Sequence, residues 1–131
     1  MPHRTVLAFA LLALAAPAAA QPQPDWSRAA SAEVTLSSFA FSPETLTLRA
    51  GVPVRLTIRD AKGGHNFAAP AFFAAARIAP EDRAKLSRGK VELRGGEAVT
   101  IRLVPAAGTY KLTCTHFMHT TFGMKGRIVV Q

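Results

Sequence analysis

The stretch from Cys114 to Met124, C-T-H-F-M-H-T-T-F-G-M, holds the chain's single cysteine, two of its four histidines and two of its three methionines. Thiolate, imidazole and thioether are soft to borderline donors, a set that selects copper over magnesium or calcium. Cys114, His119 and Met124 are spaced C-x4-H-x4-M, close enough on one loop to bring sulfur, nitrogen and thioether to one ion. A fourth donor has to come from elsewhere, and His65, in the Gly-flanked segment G-G-H-N-F, is the candidate. Two imidazoles and one thiolate in a trigonal plane, with a long axial methionine, describe an electron-transfer copper site.

Other readings of the same residues exist. A lone cysteine beside a strand is often a buried, inert one, and Met124 could fill the core. With one cysteine in the chain no internal disulfide can form, and an intermolecular bridge would leave the histidine and methionine placements unexplained. Zinc accepts these donors but prefers four strong ones, and a thioether is a poor fourth. His116 is an alternative ligand to His119. Lying two residues after Cys114, it would have to fold back beside the thiolate, whereas His119 fits the spacing to Met124. Phe117, Met118 and Phe122 flank the loop, either as core or as an apolar docking face around His119.

The elements that must position these residues read as strands. Around Val34, Leu36, Phe39 and Phe41, then over 45–49 and 52–59, apolar residues alternate with polar ones, with turns at Ser42-Pro43 and Ala50-Gly51. These runs predict an antiparallel sheet. Pro70 to Ala76 and the segment opened by Pro80-Glu81-Asp82 predict two short helical turns, since proline suits a first helical turn and acids suit its positive end. Strands resume over 90–94, 97–104 and 109–113, and 126–130 closes the chain. About eight short strands with one helical detour predict an all-β, Greek-key two-sheet β-sandwich with a short helical insertion. The ligand loop is then pinned at both ends by sheet, which lets it present several donors to one point.

Residues 1–20 have the layout of a secretory signal peptide: a basic start at Arg4, an apolar run over 5–16, and Ala18-Ala19-Ala20 before Gln21. The run is shorter than the roughly 20 residues a membrane span needs. No cysteine near the cleavage site suggests a lipid anchor, and there is no twin arginine. Residues 21–32, Pro-rich and aperiodic, read as a flexible lead-in, leaving 33–131 as the domain. An exported, periplasmic protein without a membrane span is expected. Cleavage takes only Arg4 from the 16 basic residues, leaving 15 against 8 acidic ones and a net charge of +7. The charges are dispersed, so a nucleic-acid arm is not indicated; they form a solvated surface, with steering toward an acidic protein partner as the functional reading.

The sequence resembles the cupredoxins, the small blue-copper family of plastocyanin, azurin and pseudoazurin. Y-K-L-T-C-T-H-F-M-H-T-T-F-G-M-K-G-R-I-V-V corresponds to that family's last two strands and ligand loop, and G-H-N-F to the loop supplying its first histidine. The resemblance implies that His65, Cys114 and His119 bind one copper equatorially and Met124 axially. It also implies that the Asn66 backbone N–H donates to the thiolate while its side chain ties the ligand loops together through Thr115. On this reading the chain is a one-electron carrier that exchanges electrons with a redox partner protein. Both neighbours of Cys114 are threonines, so the His-Cys-His motif that feeds a trinuclear cluster is missing, and an enzyme is not expected. The competing readings are a copper-handling module that takes the ion from a donor protein and passes it to an acceptor, and a metal-free interaction sandwich. A monomer is expected.

Overall fold

A computed structural model describes residues 14–19, 21–119 and 121–131. Most of the expected signal peptide, and Thr120 in the ligand loop, lie outside the described residues. The chain forms β1 (Ala30–Ser37), β2 (Ala40–Ser42), β3 (Thr45–Leu48), β4 (Val54–Asp60) and β5 (His65–Ala68). A short helix α1 (Pro70–Ala75), β6 (Arg77–Ile78) and a 3-10 turn (Pro80–Lys85) follow, then β7 (Lys90–Leu93), β8 (Ala98–Val104), β9 (Gly108–Thr113) and β10 (Lys125–Val130). Two five-stranded sheets, ordered β2-β1-β4-β8-β6 and β3-β10-β9-β5-β7, make the sandwich that the alternation predicts.

The alternating apolar residues face inward. Val34 and Leu36 of β1, Leu56 and Ile58 of β4, and Ile101 and Leu103 of β8 meet Phe67, Leu93, Leu112 and Ile128 of the other sheet in one buried cluster. Each fully buried aliphatic or aromatic side chain contributes roughly 1.5–3 kcal/mol of transfer free energy, so this cluster is what holds the two sheets face to face.

The sheets differ from expectation in pairing. They are mixed: β1 runs parallel to β4, and β3 parallel to β10. The chain steps from one sheet to the other between β2 and β3 and returns between β3 and β4, so strands joined by short turns are often not sheet neighbours. Period-two alternation identifies a strand but not its partner. Close packing of β10 has a local signature at Gly126, where a Cβ would sit 2.6 Å from the Glu44 carbonyl oxygen. Among the described residues ten strands form rather than about eight, because β1 and β2 are separated by a turn and β6 adds a two-residue pair to β8. At that first turn Phe39 has a φ of 57° and stands 42% exposed, so it belongs to no inward strand face.

Strand β1 begins at Ala30, inside the stretch read as a lead-in. Its first residue pairs with Val54 of β4, and the Ala30 N–H donates to the Pro53 carbonyl. Small alanines carry no period-two signal, so this start is invisible to pattern reading. Trp26 docks on the body, with the Arg102 guanidinium 5.9 Å from its ring centre. The helical detour sits on β8: buried Asp82 accepts from the Arg102 backbone N–H, the Arg102 Nε–H and Lys85 Nζ at 2.7–2.9 Å. Burial alone would push the Asp82 carboxyl up, but these hydrogen bonds outweigh it and bring its pKa down from 3.8 to about 2.

Candidate metal centre

His65 opens β5 after a turn in which Gly63 and Gly64 take φ values of 102° and 73°, a region that side chains other than glycine's strain to enter. The turn doubles the chain back so that the His65 Nε2–H donates to the Lys62 carbonyl at 3.0 Å. A carbonyl only accepts, so the proton belongs on Nε2, and the Nδ1 lone pair is left facing inward. His65 is 3% exposed.

Cys114 follows the last residue of β9, wholly buried. The loop it opens closes on itself: the Cys114 N–H donates to the Met124 carbonyl, and the Met124 N–H to the His119 carbonyl. A further turn, His119 N–H to the His116 carbonyl at 3.1 Å, aims the His119 ring back at the sulfur. His119 Nδ1 consequently lies 3.4 Å from Cys114 Sγ and 3.1 Å from His65 Nδ1. Ligand atoms of His65, Cys114 and His119 all fall within 4.8 Å of one another, which among the described residues is the one group of three or more histidine, cysteine or acidic side chains so placed. Donors about 2.0–2.3 Å from a common ion in a trigonal plane stand roughly 3.5–4 Å apart. A nitrogen–nitrogen–sulfur set at this spacing, with one imidazole tautomer fixed from behind, fits a single soft-to-borderline metal ion.

The His119 pKa is lowered from its ordinary value, first by partial burial and then by the neighbouring His65 and His116. This favours the neutral imidazole, the form that can ligate. Met124 is fully buried at the end of the loop, its backbone bonded to both Cys114 and His119. Asn66 and Thr115 meet directly. The Asn66 N–H points at Cys114 Sγ at 3.5 Å, Asn66 Nδ2 donates to Thr115 Oγ1 at 2.7 Å, and the Thr115 N–H donates to Asn66 Oδ1 at 2.9 Å.

His116 is turned elsewhere. Its Nε2 lies 2.9 Å from Glu92 Oε2, and it is not one of the three converging donors. Sequence reasoning missed Glu92, which also accepts from Asn66 Nδ2 at 2.7 Å. Its carboxyl is held below its ordinary pKa: burial works to raise it, and the bonds from Asn66 and His116, with the charges of His116 and Lys90, win. Also missed were the Lys62 carbonyl and Phe39, whose ring stands edge-on to His119 at 5.1 Å between centres. Phe117 is 90% exposed and Phe122 60%, with Met118 at 40%, so these residues are surface rather than core.

A sequence-family model described as the cupredoxin-like domain matches residues 4–130, and the chain belongs to that family. Among solved structures it is similar to auracyanin B, with 23% identity over 86% of this chain and 93% of that one and a TM-score of 0.58. It is also similar to auracyanin A of Chloroflexus aurantiacus, described as a "blue" copper protein, with 22% identity over 77% of this chain and 98% of that one and a TM-score of 0.53. A third similarity, to the multicopper oxidase McoA of Aquifex aeolicus, has 16% identity and a TM-score of 0.64 over 86% of this chain but only 32% of the oxidase. At these identities the structures share the fold. No curated protein sequence matches the chain. No helix among the described residues is long and apolar enough to cross a membrane.

Proposed function

We propose that this chain is an exported mononuclear type 1 copper protein that works as a one-electron carrier in the periplasm after removal of residues 1–20. His65, Cys114 and His119, with Met124 as a weaker fourth donor, would hold the ion. The observation that carries the reading is the convergence of two imidazole Nδ1 atoms and the Cys114 sulfur on one buried point, with His65 held in the ligating tautomer by the Lys62 carbonyl.

Copper, when bound, supplies a one-electron couple. The chain's own part is to keep its donors in place. The Cys114–Met124 closure and the Asn66–Thr115 pair hold both ligand-bearing segments, so little has to move when charge changes. The Asn66 N–H offers a hydrogen bond to the sulfur, which draws negative charge off it. Phe39, Phe117, Met118 and Phe122 put an exposed apolar surface beside His119, suited to a partner protein that approaches the ring edge. Burial of Cys114 and His65 favours a carrier over a module that hands its ion on, because an acceptor's ligands would need access to the sulfur.

Titrating the copper-free mature domain with Cu(II) tests the proposal. One equivalent should give an intense visible band from the thiolate and a reversible one-electron wave. Colourless uptake of Cu(I) with rapid transfer to a competing chelator would instead support copper handling.

A further inference from the structure

Asn66 is 1% exposed, and its side chain carries two N–H groups and one carbonyl, all of which need partners. Thr115 supplies an acceptor through Oγ1 and a donor through its backbone N–H, and the remaining N–H goes to Glu92 Oε1 at 2.7 Å. An ionised carboxylate accepts only, so it dictates which end of the amide is nitrogen. Flipping the amide would set Oδ1 against Glu92 and Nδ2 against the Thr115 N–H. The second oxygen of Glu92 faces His116 Nε2 at 2.9 Å, two residues beyond Cys114 in the ligand loop. Register makes this possible: Asn66 and Glu92 are directly paired on β5 and β7. One carboxylate thereby touches the residue after His65 and the loop that bears Cys114 and His119.

We infer that Glu92 is a positioning residue for the metal centre, fixing the amide orientation of Asn66 and clamping the ligand loop to β7 through His116. The inference rests on the proposed copper site for its consequence but not for its geometry. Without Glu92 the Asn66 N–H loses its acceptor, the amide gains freedom to turn, and the Thr115 N–H loses a fixed partner. Removing the carboxylate's charge disfavours Cu(II) relative to Cu(I), so the potential of the loaded site rises.

The test compares Glu92→Ala, Glu92→Gln and, as a control, Glu97→Gln. Glu97 is a second carboxylate on the same open cleft as Glu92 and His116, and its Oε2 accepts from the Arg94 N–H rather than from Asn66. In the copper-free protein, hydrogen exchange at the Thr115 amide should be about tenfold faster in Glu92→Ala. It should be largely rescued in Glu92→Gln, whose amide oxygen can still accept, and unchanged in Glu97→Gln. In the loaded protein the potential should rise more in Glu92→Gln than in Glu97→Gln. Wild-type exchange at Thr115 in Glu92→Ala, or equal effects from the two glutamates, would overturn the inference even if the copper site is real. Faster exchange in a protein that takes up no copper would sustain the positioning role and remove the proposed function.

Discussion

Two polar clusters interrupt the apolar interior, and they are built on opposite principles. Around Asp82, the chain supplies both signs of charge: Arg102 and Lys85 donate to one buried carboxylate, Arg102 reaches on to Glu81, and Lys85 also donates to the Thr100 carbonyl. Both oxygens of the Asp82 carboxylate have a donor aimed at them. Around Cys114, by contrast, three lone-pair-bearing atoms from His65, Cys114 and His119 converge within 4.8 Å of one another. The first cluster fastens the helical detour to β8. The second gathers two imidazole nitrogens and a sulfur from distant segments at one place, and a convergent set of that kind is what a binding site needs.

The two clusters separate most sharply at Cys114. Cys114→Ser should abolish the visible thiolate band of the copper-loaded protein entirely, while Asp82→Ala leaves the band in place. Next in size, Asp82→Ala should lower the unfolding free energy by about 3 kcal/mol, read by urea titration, because it strips partners from Arg102 and Lys85 and unfastens the 3-10 turn.

Acid separates the clusters again. The folded Asp82 carboxyl lies below its ordinary 3.8, so the unfolded chain takes the proton first. Its contribution is whole above about pH 4 and about 2 kcal/mol is lost as pH falls toward 2. Asp82→Asn should flatten that part of the stability profile. His119, also lowered, acts at higher pH: below its ordinary 6.5 the unfolded chain is protonated before the folded one, so the copper-free protein should lose some stability as pH falls from there. The smallest expected effect is at His116. His116→Ala should keep the full stoichiometry of copper and the visible band, since its ring is held by Glu92; a loss of colour would mean that the neighbouring imidazole, not His119, is the ligand.

The ease of reading each part from sequence follows its range. Cys114, His119 and Met124 are legible because a ligand loop is local: its donor types and spacing lie within eleven residues. His65 is legible through its glycines and the family resemblance of G-H-N-F. Glu92 is not, because what makes it matter is its register opposite Asn66, 26 residues away, and a strand pattern gives no register. The parallel pairs β1–β4 and β3–β10 were hidden for the same reason. Phe39 reads as a strand residue because its apolar type fits an alternating run, while a positive φ at the turn swings it out beside His119. The choice between His116 and His119 needed geometry, since both are histidines on one loop.

The proposed copper centre requires three donors from two distant segments to meet at one ion. Copper-edge X-ray absorption on the Cu(II)-loaded protein tests this most directly. It should report one short sulfur contact and two imidazole nitrogens bound to the metal, with the nitrogen count falling by one in His65→Ala. Coordination by nitrogen and oxygen alone, or a spectrum indifferent to His65→Ala, would contradict it.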